Sequence, residues 1–247
     1  MLICGKGRYA VPVDADFEKA EASRELPLVA VSTPPGELSN SPAETVRLYS
    51  LDLTSPSSGS LADGEAAVQT PWGRTTSVEE CGLTETLSAC RVIPFSRRLG
   101  SSVVRRFKPR ARTVTRKALV FTPDLASAGA DGQGPSRLVH TLMHLFLESL
   151  PRLLAGFDES VLCHVPVSSP GSIFFYERER DGQALLETLK GLLTTGEVLR
   201  RGAALLGSCK CPAGCEDCCL TYRCPEPGDG CGVDKATTLL WLKHVGV

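Results

Sequence analysis

Seven of the 11 cysteines in this 247-residue chain fall between positions 209 and 231, in CKCPAGCEDCCLTYRCPEPGDGC. Cys215 and Cys218 form a C-x2-C knuckle, a spacing that lets two thiolates reach one ion while nearby amides donate to the sulfurs. Cys211 precedes the knuckle and Cys224 follows it, so a second pair is available to complete a tetrahedron with Zn–S bonds of about 2.3 Å. Pro212 and Gly214 suit the tight turns of such a loop. Adjacent Cys218 and Cys219 point in different directions, and the knuckle spacing selects Cys218; Cys209 and Cys231 stand in reserve. The expected metal set is therefore Cys211, Cys215, Cys218 and Cys224. A closed four-thiolate site leaves no position for water, so the expected cofactor is a structural zinc ion without Lewis-acid chemistry. An iron–sulfur cluster is the alternative, since four thiolates suit either centre.

Disulfide bonding is the competing use of so many cysteines, and it belongs to secreted domains. The opening MLICGKGRYAVPVDAD is interrupted by Lys6 and Arg8 too early for a signal peptide, and no apolar run approaches the roughly 18 residues of a membrane span. The expected location is intracellular, where clustered cysteines bind metal more often than they pair.

Other candidate chemistry is incomplete. His140 and His144 in HTLMH share one helix face, and Glu148 lies one turn further on, which would make a three-ligand face. The zincin motif requires a glutamate after the first histidine, and Thr141 stands there, so a hydrogen-bonded core pair is the competing reading. His164 and His244 stand alone. GKG at 5–7 lacks the preceding strand and the Ser/Thr of a phosphate-binding loop, and no G-x-S-x-G elbow occurs. Cys163 beside His164 is no dyad, because strand neighbours face opposite ways. No complete catalytic motif is present, and the sequence offers no phosphate-binding loop for a nucleotide.

The elements that must position these residues follow from periodicity. KALVFTPDL (117–125) predicts a strand ending at Pro123. SRLVHTLMHLFLESLPRLL (136–154) predicts a helix with Ser136 as N-cap and a kink near Pro151. VLCHVPV and SIFFYER, separated by SSPG, predict a hairpin. ALLETLKGLLTTGEVLRRGAALLGS predicts one helix, or two broken near Gly196, leading into the cysteines. DKATTLLWLKHV predicts a final helix capped by Asp234. Upstream, Ser/Pro/Gly-rich stretches between about 21 and 70 bury too little apolar surface to offset their ordering entropy; VRLYSLDL (46–53) is an isolated strand candidate among them.

A net charge of −1 hides an uneven distribution. Residues 1–90 carry 6 Lys/Arg against 13 Asp/Glu, whereas 91–117 carry 10 Lys/Arg and no acid. This block predicts a nucleic-acid contact through Arg105, Arg106, Lys108, Arg110 and Arg112; a solvated arm, or a basic strand pair neutralised by acidic neighbours, is the competing reading.

In order along the chain, HTLMHLFLESLP, SIFFYER, CKCPAGCEDCCLTYRC and the Asp234–Lys235 pair resemble the zinc-binding C-terminal domain of the MrfA-like superfamily 2 DNA repair helicases. The family's turn after the apolar strand carries paired glycines, whereas ERERDGQALL has only Gly182. The motor lobes have no counterpart, so the resemblance implies a fragment, a split-gene product or a stand-alone descendant. It also implies a role in binding or steering DNA, with a motor subunit in trans as a partner.

The expected fold class is α+β, a small mixed helix and strand domain with a C-terminal Cys4 zinc knot after an irregular or partly disordered N-terminal region. The expected boundaries are an N-terminal extension over 1–90, a basic segment and strand over 91–135, and the zinc-binding domain over 136–247. The expected function is a non-catalytic accessory module of helicase-type DNA processing, with a zinc-stabilised protein-interaction scaffold as the alternative.

Overall fold

The computed structural model describes residues 8–11, 29–32, 43–55, 67–94, 103–126, 134–177, 183–221, 224 and 232–247. The Pro/Gly-rich stretches, the turn at 178–182, Arg97, Arg98 and Cys231 lie outside these residues. The chain divides into two compact units: one comprises the described parts of Met1–Ser50 and Glu85–Arg112, the other those of Leu51–Thr84, Thr113–Cys224 and Gly230–Val247.

Strands β1 (Arg8–Val11) and β2 (Val29–Ser32) pair antiparallel in the first unit. Strands β3 (Ala43–Ser55), β5 (Gly73–Pro94), β6 (Val103–Pro123), β7 (Val161–His164) and β8 (Ile173–Glu177) form a sheet in the order β3-β5-β6-β8-β7. The short β4 (Val68–Thr70) pairs with the start of β5. At the first residue of β5, Gly73 has φ +145, and a Cβ there would collide with the Thr122 carbonyl oxygen, so only glycine fits. The strand read at 46–53 is thus β3, and its partner is β5.

The helices are α1 (Gly134–Leu153), the short α2 (Phe157–Ser160), α3 (Gln183–Thr194), α4 (Glu197–Ser208) and α5 (Lys235–His244). Helix α1 begins two residues before Ser136, which therefore lies inside the helix rather than capping it. Pro135 has the fixed φ that a first turn accepts, so the helix can start earlier than the N-cap signal suggests. Pro151 is held within the last turn. Gly196, at φ +73, separates α3 from α4. The Asp234 side chain accepts from the Thr237 amide at 2.9 Å and caps α5.

In the second unit the sheet has two covered faces. Leu119 and Phe121 of β6, Ile173 and Phe175 of β8 and Cys163 of β7 face the helices. Ala118, Val120, Phe174 and Tyr176 face the other way and pack with Leu51, Cys81 and Leu83. The registers Leu119↔Phe175 and Cys163↔Phe175 align these sets, because side chains alternate along each strand. Burial on both faces explains why β8 reads as an unbroken apolar run. Helix α1 lies at the centre, with Leu138, Val139, Leu142, Met143, Leu145, Phe146 and Leu150 all buried. Phe146 meets Phe121 edge-on at 5.8 Å and Phe175 at 5.6 Å, while other sides of α1 pack on α4 and α5. A helix apolar on nearly every side must be covered on every side, and that requirement brings α4, α5 and the cysteine loop around α1. The architecture is α+β with the cysteines at its C-terminal end, as the sequence implied.

Candidate metal centre

Helix α4 delivers the first cysteine. Cys209 is its C-cap, with extended backbone at φ −81 and ψ 131, so the chain leaves the helix axis there. The loop then turns back at Gly214, whose φ is +117; a Cβ at this position would meet the Cys219 Sγ at 2.7 Å and Val233 at 3.0 Å. Next, the Cys215 carbonyl accepts from the amides of Cys218, Cys219 and Leu220 at 3.1, 3.0 and 2.9 Å, which closes the knuckle.

This path gathers the thiols of Cys209, Cys211, Cys215 and Cys218, all within 4.8 Å of one another. Sulfur separations are 3.5 Å for Cys209–Cys215, 3.5 Å for Cys211–Cys218 and 3.9 Å for Cys215–Cys218. A tetrahedron with Zn–S bonds of about 2.3 Å has edges of about 3.8 Å, so the four sulfurs already fit a zinc ion. The amide of Cys215 points at the Cys218 sulfur, 3.3 Å away, the donor that a thiolate ligand takes.

The protonation pattern suits a dication. Burial opposes ionisation of Cys211, yet hydrogen bonds from Cys209, Cys218 and Cys215 bring its thiol down to about 7. The Asp217 amide favours the Cys215 thiolate, but the bonds it gives to Cys209 and Cys211, with burial, push it up to about 12. Burial, with a bond to Cys211, likewise pushes Cys218 up to about 12. Hydrogen bonds from the neighbouring thiols thus favour the Cys211 thiolate, and a bound dication would replace those protons and favour ionisation of all four sulfurs.

Lys235, at the start of α5, is buried, and its Nζ donates to the carbonyls of Cys209 at 2.6 Å and Cys211 at 2.9 Å. The same ammonium lies 3.5 Å from the Cys211 sulfur, so it satisfies the loop's backbone and offsets thiolate charge together. Thr141 ties the same helix to α1: its hydroxyl accepts from the Asp234 amide at 2.8 Å and donates to the Arg137 carbonyl at 2.7 Å.

Of the four cysteines selected from spacing, the structure brings together Cys211, Cys215 and Cys218. Cys209 stands beside them where Cys224 was expected. Cys224 is fully buried against His140 instead, with its Sγ 3.9 Å from that ring's Nε2. Cys219 lies outside the four-thiol set but not far from it: its Sγ is 3.7 Å from that of Cys218 and packs under Gly214, so the two neighbours do not diverge as their adjacency suggested. The compact run C-x-C-x3-C-x2-C was the available signal for Cys209. For Lys235 there was only the Asp–Lys pair at the helix start. Glu148 does not join His140 and His144; it lines a surface cleft with Arg152 and Arg201. Cys163 and His164 do face opposite sides of β7: the thiol packs in the helix-side core, and the imidazole lies by Tyr176.

The basic block divides as well. Arg106, Lys108 and Arg110 are exposed on β6. Arg112 is instead largely buried, its Nε and guanidinium both 2.7 Å from a Glu85 carboxylate oxygen. Lys117 pairs with Glu79 at 2.7 Å. The side chain of Arg105 lies outside the described residues.

A cluster of four thiols within ligand distance of one another, backed by a buried lysine and packed against a helical core, has the make-up of a structural zinc site. Residues 141–219 match the model of the MrfA Zn-binding domain family. All four clustered cysteines fall inside the match; His140, Cys224 and Lys235 lie outside it. Among solved structures, the DUF1998 helicase MrfA bound to DNA is similar at 12% identity and a TM-score of 0.49, over 100% of this chain and 29% of that one. The chain thus spans 29% of that helicase's length. No curated protein matches. Among the described residues, no helix is long and apolar enough to cross a membrane.

Proposed function

We propose that this chain is a non-catalytic accessory module of a helicase-type DNA-processing protein. Zinc on Cys209, Cys211, Cys215 and Cys218 holds its fold, and Arg106, Lys108 and Arg110 contact nucleic-acid backbone. The observation that carries the reading is the four-thiol cluster within the stretch matched by the MrfA Zn-binding domain family. The metal fixes the loop between α4 and α5 onto α1, and a closed shell gives it no reacting position. ATP-driven work falls to a motor elsewhere, because the sequence has no phosphate-binding loop.

Three exposed cations over five residues of one strand support the nucleic-acid contact. Alternate residues of a strand face the same side, which sets Arg106, Lys108 and Arg110 on one face, spaced to follow a line of phosphates. Arg112 continues that row by number but belongs to the Glu85 ion pair.

Binding of the full chain to a labelled DNA duplex, read by fluorescence anisotropy over a salt series, tests the assignment. Replacing Arg106, Lys108 and Arg110 with Ala should lower affinity and flatten the log–log salt slope by about 0.9 for each phosphate no longer engaged. Unchanged affinity and slope would show that this face does not bind the backbone. If wild-type protein binds no DNA yet captures a protein partner after nuclease treatment, the scaffold reading replaces this one.

A further inference from the structure

The structure points to a second metal site: we propose that His140, His144 and Cys224 bind a zinc ion separate from the four-thiol knot. Their ligand atoms lie within 4.8 Å of one another, and His144 and Cys224 are fully buried. The ring centroids of the two histidines, one helical turn apart on α1, are 4.5 Å apart. The Cys224 sulfur is 3.9 Å from His140 Nε2, close to the roughly 3.5 Å expected between sulfur and nitrogen ligands of one tetrahedral zinc.

His144 carries the argument. Its Nδ1 lies 2.7 Å from the Cys219 carbonyl oxygen, which can only accept, so Nδ1 holds the proton. The neutral ring then presents a lone pair at Nε2, and this buried atom has no hydrogen-bond partner among the described residues. An orphaned buried acceptor costs free energy, and protonating it instead would bury a charge beside His140. A metal ion resolves both difficulties. An imidazole bound through one nitrogen while the other donates to a backbone carbonyl is the arrangement that orients metal-ligating histidines. Two imidazoles and a thiolate suit zinc among the common divalent ions. The Cys219 carbonyl that orients His144 directly follows the knuckle, so the two sites would share a loop while using no ligand in common.

Such an ion would pin the chain beyond the knot back onto the central helix, across 84 residues of sequence. The donor set differs in kind from the knot, which is sulfur only, and this makes the sites separable by spectroscopy. Zinc-edge X-ray absorption on wild-type protein, purified without chelator, should show imidazole scattering alongside sulfur; a sulfur-only shell would overturn the proposal. The H140Q/C224S double variant should keep its circular dichroism and lose about one zinc equivalent per chain by mass spectrometry. A folded double variant with as much zinc as wild type would also overturn it. If the variant fails to fold, the wild-type absorption spectrum decides. Failure of the four-thiol assignment would read differently, as loss of sulfur-only zinc with the imidazole signal retained.

Discussion

Replacing Gly214 with Ala should weaken zinc binding by about two orders of magnitude while leaving the metal-free protein almost unchanged. Gly214 has φ +117, a conformation that costs a non-glycine residue about 1–3 kcal/mol. The added Cβ would also lie 2.7 Å from the Cys219 sulfur and 3.0 Å from a Val233 methyl. The neighbours must move, and overpacking of this kind costs about 1–3 kcal/mol. Cys219 cannot yield easily, because its carbonyl holds His144 and its neighbour Cys218 belongs to the sulfur cluster. Taking about 3 kcal/mol as the sum, and about 1.4 kcal/mol per tenfold, zinc affinity should fall about 100-fold. The strain is imposed only when the metal fixes the loop, so chelated wild-type and variant proteins should unfold together. Competition against a chromophoric chelator measures the affinity, and thermal unfolding with and without chelator measures the coupling. A loss smaller than about threefold, or equal destabilisation with and without metal, would refute the reasoning.

Lys235→Met keeps the length of the side chain but removes the donor to two loop carbonyls and the charge beside Cys211. Zinc affinity should fall about 10–100-fold, as for other groups that support metal ligands, and the same competition assay reads it. Thr141→Val keeps shape but leaves the Asp234 amide without its acceptor; thermal unfolding should show a loss of about 1–3 kcal/mol, with zinc affinity less affected. Arg112→Ala leaves the Glu85 carboxyl almost fully buried without its partner, so unfolding should be eased by about 3–5 kcal/mol, whereas Lys108→Ala on the exposed face should cost under about 0.5 kcal/mol. Adding Glu85→Leu to Arg112→Ala should restore much of the loss, which a denaturant titration of the three proteins would reveal.

The Glu85–Arg112 pair also shows how one buried ion pair disguises a strand. Cys81, Leu83, Leu87 and Ala89 alternate as buried positions along β5, but Glu85 interrupts the pattern as a residue that belongs in water. Periodicity along the chain therefore marked no element there. Glu85 is buried because Arg112, from a strand 27 residues away, neutralises it. The same partner removes Arg112 from the basic face, and no feature near either residue announces the pairing.

What the sequence determined by itself is what depends on neighbours along the chain. Apolar spacing of 3.6 marked α1 and the pair α3 and α4, two strand-like runs either side of SSPG marked the β7–β8 hairpin, and Gly196 and Asp234 marked a break and a cap, because turn geometry and capping act over a few residues. The cysteine density announced a metal for the same reason, since a knuckle is a local structure. Tertiary structure decided which thiols meet. Cys209 leaves the end of α4 on the cluster side, and Gly214 folds the loop back to it, whereas Cys224 is carried past the knot to the histidine face of α1. Spacing bounds how far two sulfurs can be from each other, but the direction in which the chain leaves a helix, and the buried face waiting for it, decide whether they share an ion.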